Sequence, residues 1–191
     1  MSLILASGSP RRRALLEELG LVPDVCPTDI DETPLPGEDP SAYVERLALE
    51  KGAAISCEPD DVVVSADTIV TIDGQLLGKP TDDAHAAQML HTLSGRTHQV
   101  MTGVAVRHGA TTESFVESTV VRFADLTEED IAWYIATGEP TDKAGSYAMQ
   151  GRGGLFVTSI EGSYDNVIGL PRHRLRQVLN GLGENPGKLL R

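Results

Sequence analysis

The sequence predicts an α/β fold in which helices flank a mixed sheet. Segments with strand-like and helix-like patterns alternate along the 191 residues, which favours helices packed on a sheet. Two stretches of strand pattern fold back on themselves, one around Asp73-Gly74 and one near His108-Gly109. Hairpins of this kind produce antiparallel pairs, so we expect a mixed sheet rather than a doubly wound parallel one.

The first elements are predicted from their end signals. Residues 3–6 are apolar and short, which is typical of a buried strand. A helix over residues 11–19 follows, because Ser9 can cap it, Pro10 suits its first position and Gly20 can stop it.

The remaining elements are predicted from periodicity, caps and turn residues. They are an extended segment over 22–33 ending in an acidic loop, a helix from Ser41 as cap to about Cys57, a buried strand over 62–64, a hairpin over 69–77, a helix over 82–93, a hairpin over 97–123, a helix from the Thr127 capping box to about Thr137, a strand over 155–160, a helix over 171–182 and a frayed tail after Gly181.

Composition limits the class of protein. The length suits one domain over residues 1–191, or two closely packed lobes with the active-site cleft between them. A net charge of −12 and only 4% aromatic residues argue against a general binder of nucleic acid or of anionic membranes. No membrane-spanning run and no signal-peptide pattern is found, so we expect a cytoplasmic protein in which Cys26 and Cys57 are reduced thiols.

A basic turn opens the first helix, in the sequence Ser7-Gly8-Ser9-Pro10-Arg11-Arg12-Arg13. Arginines at a helix N-terminus oppose the helix dipole by about 0.3–1 kcal/mol each, and the first acidic residue is Glu17. A bound phosphate would explain the arrangement, because hydroxyls, backbone N–H groups and guanidinium groups all bind its oxygens. The alternative is a solvated basic turn, and Arg13 is as consistent with a surface position as with binding.

Acidic residues form a second candidate group. Asp29, Asp31 and Glu32 lie in a predicted loop, and Asp67 follows the buried strand at its carboxyl end, where ligands bind in α/β sheets. Carboxylates at that place suit Mg²⁺ or Mn²⁺. The loop taken alone is also consistent with a solvated charge run, whereas Asp67 emerges from a buried strand and is a stronger functional candidate.

Two lysines and a loop carry weaker signals. Lys51 late in the second helix and Lys79 between Gly78 and Pro80 are each, taken alone, typical of surface lysines. The glycine-rich residues 142–154 match no Walker or dinucleotide spacing, so on their own they indicate a flexible loop.

Taken together, these segments resemble the Maf family of nucleotide pyrophosphatases. The matching motifs follow the family's order over residues 3–171; they are residues 5–12, Asp31-Glu32, residues 46–48 with Lys51, Ala66-Asp67-Thr68, Gly78-Lys79-Pro80, residues 142–147 with Gln150-Gly151, Ser163-Tyr164 and residues 167–171.

The resemblance implies a fold related to the inosine triphosphate pyrophosphatases, a divalent metal cation and a homodimer. It implies that Asp67 is the catalytic base and, with Glu32, a metal ligand. The implied phosphate-binding residues are Ser7, Arg11, Arg12, Lys51 and Lys79. Arg11, Thr68 and Gln150 match the positions tied to nucleotide choice, and Tyr147 with Gln150 resembles the branch that acts on dTTP and UTP.

The expected activity is therefore hydrolysis of a nucleoside triphosphate, dTTP or UTP, to the monophosphate and pyrophosphate, with non-standard pyrimidine nucleotides as further substrates. The alternative is a non-catalytic regulator that senses nucleotides in septum formation. A sensor needs phosphate ligands but no base beside the α-phosphate, so Asp67 discriminates between the two.

Overall fold

The computed structural model describes residues 1–184 and 186–189. Within them the strands are β1 (Leu3–Leu5), β2 (Asp24–Val25), β3 (Val62–Ile72), β4 (Gln75–Leu77), β5 (Thr97–His108), β6 (Thr111–Phe123) and β7 (Val157–Glu161). The helices are α1 (Pro10–Glu17), α2 (Pro40–Ala53), α3 (Asp83–Leu93), α4 (Glu128–Ile135), α5 (Tyr164–Ile168), α6 (Arg172–Gly181) and α7 (Pro186–Leu189). Short 3-10 helices cover Glu139–Asp142, Ala144–Ser146 and Arg152–Phe156.

The strands form one mixed sheet, as predicted. Their order is β2-β1-β3-β5-β6-β7, and β4 pairs with β3 beside this path. β1 runs parallel to both β2 and β3, with Leu5 opposite Val64, whereas the β3–β4 and β6–β7 pairs are antiparallel. No helix in residues 1–184 and 186–189 is long and apolar enough to cross a membrane.

The chain divides into two compact units. The first unit contains Met1–Asp67, Thr102–Glu117 and the described residues from Gly169 onward. The second unit contains Thr68–Met101 and Ser118–Ile168. The expected arrangement of one domain, or of two lobes with an active-site cleft, stays a prediction.

Two helix caps and one turn were predicted correctly from local sequence patterns. Ser9 caps α1 by accepting a hydrogen bond from the Arg12 N–H, with Pro10 at the first position. Thr127 and Asp130 form the predicted capping box of α4. Asp73 and Gly74 both have positive φ, 51° and 76°, as the two-residue turn between β3 and β4 requires.

Other expectations were wrong in detail. Asp39 rather than Ser41 caps α2, because Pro40 occupies the first helical position and the Asp39 side chain accepts from the Ser41 N–H at 2.8 Å. The predicted strand over 62–64 and the first arm of the hairpin over 69–77 are one strand, β3. α5 and the 3-10 helices were not predicted from the sequence, because they are too short to show a periodic pattern. Residues 185, 190 and 191 of the predicted frayed tail lie outside the described residues.

The core of the first unit depends on a close approach of α2 to the sheet. The buried Ser65 hydroxyl on β3 donates to the Ala48 carbonyl of α2 at 2.7 Å. On β5, a Cβ added at Gly103 would overlap the Val44 carbonyl and lie 2.7 Å from the Glu45 nitrogen. The small side chains at these two positions allow α2 to lie directly on the sheet.

The core of the second unit contains an aromatic cluster. Phe123 packs edge-on against His98, Tyr147 and Phe156, with ring centroids 4.8 to 6.0 Å apart. His98 is 2% exposed, and its Nε2 lies 2.8 Å from the Tyr147 hydroxyl. Its Nδ1 has no hydrogen-bond partner among the described residues. Burial lowers the pKa of His98 to about 4.

The buried histidine predicts an acid-sensitive stability. Between pH 6.5 and 4 the unfolded chain binds a proton at residue 98 that the folded protein does not, so stability falls as pH falls through this range and levels off below it. The loss amounts to roughly 3 kcal/mol. We expect urea unfolding of His98→Phe to show a flatter pH dependence from pH 7 to 4. His91→Gln, which removes an exposed histidine of α3, is the control variant. A slope in His98→Phe equal to that of the wild type would contradict the assignment.

Candidate active site

The basic turn before α1 is organised around Ser7 and Arg12. Ser7 lies two residues after the end of β1, is 8% exposed, and accepts from the Ser9 N–H at 3.2 Å and from Arg12 Nη1 at 3.1 Å. Arg12 Nε also donates to the Gly169 carbonyl at 2.8 Å. The Arg12 guanidinium is therefore held against the turn, and the alternative of a fully solvated basic turn does not apply to it.

The three arginines of the turn differ. Arg13 is exposed and pairs with Glu17 at 2.7 Å, one helical turn later. Glu17, the first acidic residue of the sequence, therefore balances the charge of Arg13 through an i,i+4 pair. Arg11 is half-buried. Arg13 thus belongs to the surface, and Arg11 and Arg12 remain as candidates for anion binding.

The pKa of Arg12 connects the basic turn to the acidic residues. Burial lowers this pKa from its ordinary value, the Asp67 carboxylate raises it, the neighbouring Arg11 lowers it and the Glu32 carboxylate raises it. Asp67 and Glu32 thus lie within electrostatic range of the Arg12 guanidinium. The first unit brings the predicted phosphate-binding turn and the predicted metal ligands to the same place.

Lys51 lies between the two predicted metal ligands. Its Nζ is 2.6 Å from Glu32 Oε1 and 2.7 Å from Asp67 Oδ1. Lys51 is 8% exposed, so the reading of it as a surface lysine is wrong. A buried ammonium is stable only with partners, and here it has two carboxylates.

The position of Lys51 follows from the inner face of α2. Leu47, Ala48 and Lys51 are buried at helical spacing, so the residue that continues the apolar face points toward the sheet. Gly52 is also buried, and a Cβ there would lie 2.7 Å from the Ser65 hydroxyl. The ammonium therefore reaches Asp67 because α2 packs closely on β3.

Asp67 lies within a strand rather than after one. β3 continues to Ile72, where residues 70–72 pair with β4, so the expectation that Asp67 ends a strand was wrong. Asp67 is 9% exposed. Its position inside β3, rather than in a loop, restricts the backbone that carries the carboxylate.

The loop that carries Glu32 is held by side chains whose contacts the sequence did not predict. The Tyr43 hydroxyl donates to the Glu32 carbonyl at 2.7 Å, and Arg46 Nη2 donates to the Thr33 carbonyl at 3.3 Å. Arg46 also pairs with Glu38 at 2.6 Å and lowers the pKa of that carboxyl group to about 2. The spacing of Tyr43, four residues before Leu47, could have predicted that its ring is buried, but not the partner of its hydroxyl.

The rest of the acidic loop behaves as a solvated run. Asp31 is exposed, and its carboxylate accepts from the Thr33 N–H at 2.9 Å, which closes a local turn. Hydrogen bonding to Thr33 lowers the pKa of Asp31. Asp29 is likewise exposed. Only Glu32 of this run reaches Lys51.

The other predicted site residues belong to the second unit. Thr68 is half-buried on β3, while Lys79 and Gln150 are exposed. The Gly145 N–H donates to the Gly78 carbonyl at 3.1 Å. This bond joins the segment that carries Lys79 to the glycine-rich loop that carries Gln150.

The glycine-rich loop is more regular than its composition indicated. It contains two of the 3-10 helices, and Gly145 takes a positive φ of 66° against the side chain of Val70. Tyr147 is buried in the aromatic cluster, where burial raises the pKa of its hydroxyl. Of the pair Tyr147 and Gln150, only Gln150 is exposed.

Comparison with known proteins identifies the family. The sequence model described as Maf-like protein matches residues 2–182. The chain belongs to the Maf-like family. The dTTP/UTP pyrophosphatase of Symbiobacterium thermophilum is 51% identical to this Maf-like chain over 95% of the chain and 94% of its own length. The protein of the same name from Shewanella denitrificans is 51% identical over 99% of the chain and all of its own length. The family resemblance predicted from the motifs is thereby confirmed.

A solved structure shares the fold. A HAM1 protein from Coxiella burnetii superposes with a TM-score of 0.53 and covers 96% of this chain and 98% of its own, at 17% sequence identity. At that identity the likeness concerns the fold alone. It confirms the predicted fold class.

The residues of this Maf-like chain fit a divalent cation. Oxygens of Glu32 and Asp67 both contact Lys51 Nζ, at 2.6 and 2.7 Å, so the two carboxylates lie close to each other. Within residues 1–184 and 186–189, no group of three or more His, Cys, Asp or Glu side chains is placed to hold a metal. Mg²⁺ and Mn²⁺ commonly take one or two carboxylates together with waters and substrate phosphates, so two carboxylates are a sufficient protein contribution.

The brace of the Glu32 loop yields a stability prediction. Tyr43→Phe removes only the hydroxyl that donates to the Glu32 carbonyl, and we expect it to lower the free energy of unfolding by about 0.5–1.5 kcal/mol. Tyr164→Phe is the matched control, because Tyr164 is 47% exposed. Urea unfolding of both variants measures the difference. Equal stability of the two would show that the hydroxyl does not hold the loop.

Proposed function

We propose that this protein hydrolyses nucleoside triphosphates, foremost dTTP and UTP and with them non-standard pyrimidine nucleotides, to the monophosphate and pyrophosphate. The observation that carries the proposal is the contact of Lys51 with both Glu32 and Asp67, within electrostatic range of Arg12. Family membership and the names of the relatives from Symbiobacterium thermophilum and Shewanella denitrificans support the reaction and the choice of nucleotide.

The basic residues bind the triphosphate in this proposal. Ser7, Arg11, Arg12 and Lys51 contribute a hydroxyl and three cations, and the family resemblance adds Lys79 as a further cation. A chain with a net charge of −12 repels a triphosphate overall, so local cations are required. Arginine forks and an ammonium also stabilise the charge that builds on departing pyrophosphate.

Asp67 acts as the general base. It takes a proton from the water that attacks the α-phosphorus, the bond between the α-phosphorus and the bridging oxygen breaks, and pyrophosphate leaves. Glu32 and Asp67 would hold the divalent cation, Mg²⁺ or Mn²⁺, which when bound neutralises phosphate charge and polarises water. Lys51 keeps the two carboxylates together before substrate binds, because its Nζ contacts both.

The nucleobase is selected by Arg11, Thr68 and Gln150. The amide of Gln150 offers one acceptor and one donor, which match the N3–H and a carbonyl of uracil or thymine. Gln150 is exposed in the second unit and is therefore accessible to a ligand. The alternative function, a non-catalytic nucleotide sensor in septum formation, is not favoured, because the relatives are named as pyrophosphatases and a sensor needs no carboxylate such as Asp67.

We also propose that the enzyme is a cytoplasmic homodimer that uses a divalent metal. The support for the dimer, the compartment and the metal is the family resemblance. Light scattering on the purified protein tests the dimer; a monomer at micromolar concentration would contradict it.

The function is tested with a panel of nucleotides and with a substitution of the proposed general base, Asp67. We expect the purified protein with Mg²⁺ or Mn²⁺ to release pyrophosphate from dTTP and UTP, and Asp67→Asn to lose about 10²–10⁴-fold in kcat because the general base is gone. Asp60→Asn, an exposed position, should keep the wild-type rate. Near-normal turnover by a folded Asp67→Asn protein would refute the assignment of the base, and absence of pyrophosphate release from every nucleotide would favour the sensor.

Substitutions of Arg11 and Arg12 should have different effects on triphosphate binding and on thermal stability. Arg11→Ala should weaken binding of a slowly hydrolysed dTTP analogue while leaving the melting temperature unchanged or raised, because it removes a cation from a helix N-terminus. Arg12→Ala should weaken binding and also lower stability, because Arg12 bonds Ser7 and Gly169. Unchanged affinity in both variants would show that the turn does not bind the triphosphate.

A further inference from the structure

The carboxylate of Glu139 collects three hydrogen bonds in the second unit. Its Oε1 accepts from the Tyr134 hydroxyl at 2.8 Å and from the Gly153 N–H at 3.1 Å. Its Oε2 accepts from the Arg152 N–H at 3.1 Å. Glu139 begins the 3-10 helix that follows α4, so this carboxylate ties a neighbouring element to the chain just after Gln150.

Tyr134 carries the connection to the other side of Gln150. Its hydroxyl accepts from the Ala148 N–H at 3.1 Å while it donates to Glu139. The ring is fully buried on α4 and packs edge-on against Phe156, with centroids 5.1 Å apart. The hydroxyl is consequently fixed in position by the core of the second unit.

Tyr134 and Glu139, which we call the clamp, thus fasten both ends of a short segment. Ala148 is bonded on one side, Arg152 and Gly153 are bonded on the other, and Gln150 lies between them. The backbone approaches the clamp closely: a Cβ at Gly151 would lie 2.6 Å from Glu139 Cδ, and one at Gly153 would lie 2.6 Å from the Tyr134 hydroxyl oxygen. The bonds from the clamp side chains to residues 148, 152 and 153 all go to backbone N–H groups, and none of them uses the Gln150 side chain.

We propose that Tyr134 and Glu139 are positioning residues for nucleobase selection, which hold the backbone of residues 148–153 so that the exposed Gln150 amide meets the base in one geometry. The inference rests on the proposed function, in which Gln150 contacts the base. A glutamine amide on an unfastened loop can meet many hydrogen-bonding patterns, whereas one on a fixed backbone discriminates among bases. The clamp does not contact the phosphates in this proposal, so its loss should affect the choice of nucleotide rather than phosphate binding.

The test compares Glu139→Gln and Tyr134→Phe with wild type on dTTP, UTP and CTP. Glu139→Gln keeps the shape but places an NH₂ group opposite one of the donors, and Tyr134→Phe removes the shared hydroxyl. We expect kcat/KM for dTTP and UTP to fall about tenfold, CTP to change much less, and inhibition by inorganic triphosphate to stay unchanged. Thr119→Val is the matched control, because it removes a buried hydroxyl that bonds Ser163 and Asn166 of the same unit instead of residues 148–153. Thr119→Val should lower the free energy of unfolding but keep the ratio of kcat/KM for UTP to that for CTP.

A double substitution shows whether the clamp acts through Gln150. In a Gln150→Ala background, Glu139→Gln should produce no further change in the UTP-to-CTP ratio, whereas two independent effects would multiply. Amide hydrogen exchange of residues 148–153 in the free protein should accelerate in both clamp variants and not in Thr119→Val.

The outcomes separate the two proposals. If Gln150→Ala lowers the ratio of kcat/KM for UTP to that for CTP and the clamp variants do not, the clamp inference is wrong. The proposed role of Gln150 in contacting the base then stands. If the clamp variants weaken all nucleotides and inorganic triphosphate equally, the clamp supports the fold only and the inference is overturned. If Gln150→Ala leaves the ratio unchanged, the base is selected elsewhere, and both the proposed role of Gln150 and the clamp's role in selection are wrong.

Discussion

The buried ammonium of Lys51 is the interaction on which the first unit depends. A charge taken out of water is costly unless partners replace its hydration, and Lys51 has the carboxylates of Glu32 and Asp67 at 2.6 and 2.7 Å. Each carboxylate is in turn acceptable at this place because cations lie beside it, Lys51 in contact and Arg12 within electrostatic range. The two cations and two carboxylates together sum to zero charge, and the loss of Asp67, the buried carboxylate, would leave Lys51 without its buried partner.

This charge arrangement requires α2 to lie very close to the sheet. Gly52 and Gly103 leave no room for a Cβ, and the small Ser65 side chain fills the remaining space with a hydrogen bond to the Ala48 carbonyl. A larger side chain at these positions would move α2 outward and with it the Lys51 ammonium. The serine that precedes Ala66-Asp67 is therefore part of the packing that delivers Lys51 to Asp67.

The sequence predicted what local chemistry determines. The Ser9 and Thr127 caps and the Asp73-Gly74 turn depend on residues within four positions, and each was placed correctly. Contacts between distant segments were not predictable in this way: Lys51 looked like a surface residue because its carboxylates lie 16 and 19 positions away, and Tyr43 gave no sign that its hydroxyl reaches the Glu32 loop. Lys51 was predicted as a site residue only through the family resemblance. The family's motifs bring together residues that are distant in the sequence, whereas periodicity describes single elements.

Both units support a loop residue in the same physical way. In the first unit the Tyr43 hydroxyl on α2 bonds the backbone carbonyl of Glu32, and in the second the Tyr134 hydroxyl on α4 bonds the backbone N–H of Ala148. A buried tyrosine is suited to this task, because its ring is held by the core and its hydroxyl is the one polar atom that must find a partner. Support through the backbone leaves the side chain of the loop residue available for other contacts, which for Glu32 is the ammonium of Lys51. A loop braced in this way can carry a polar side chain at a defined place without using that side chain's own hydrogen-bonding groups to hold the loop.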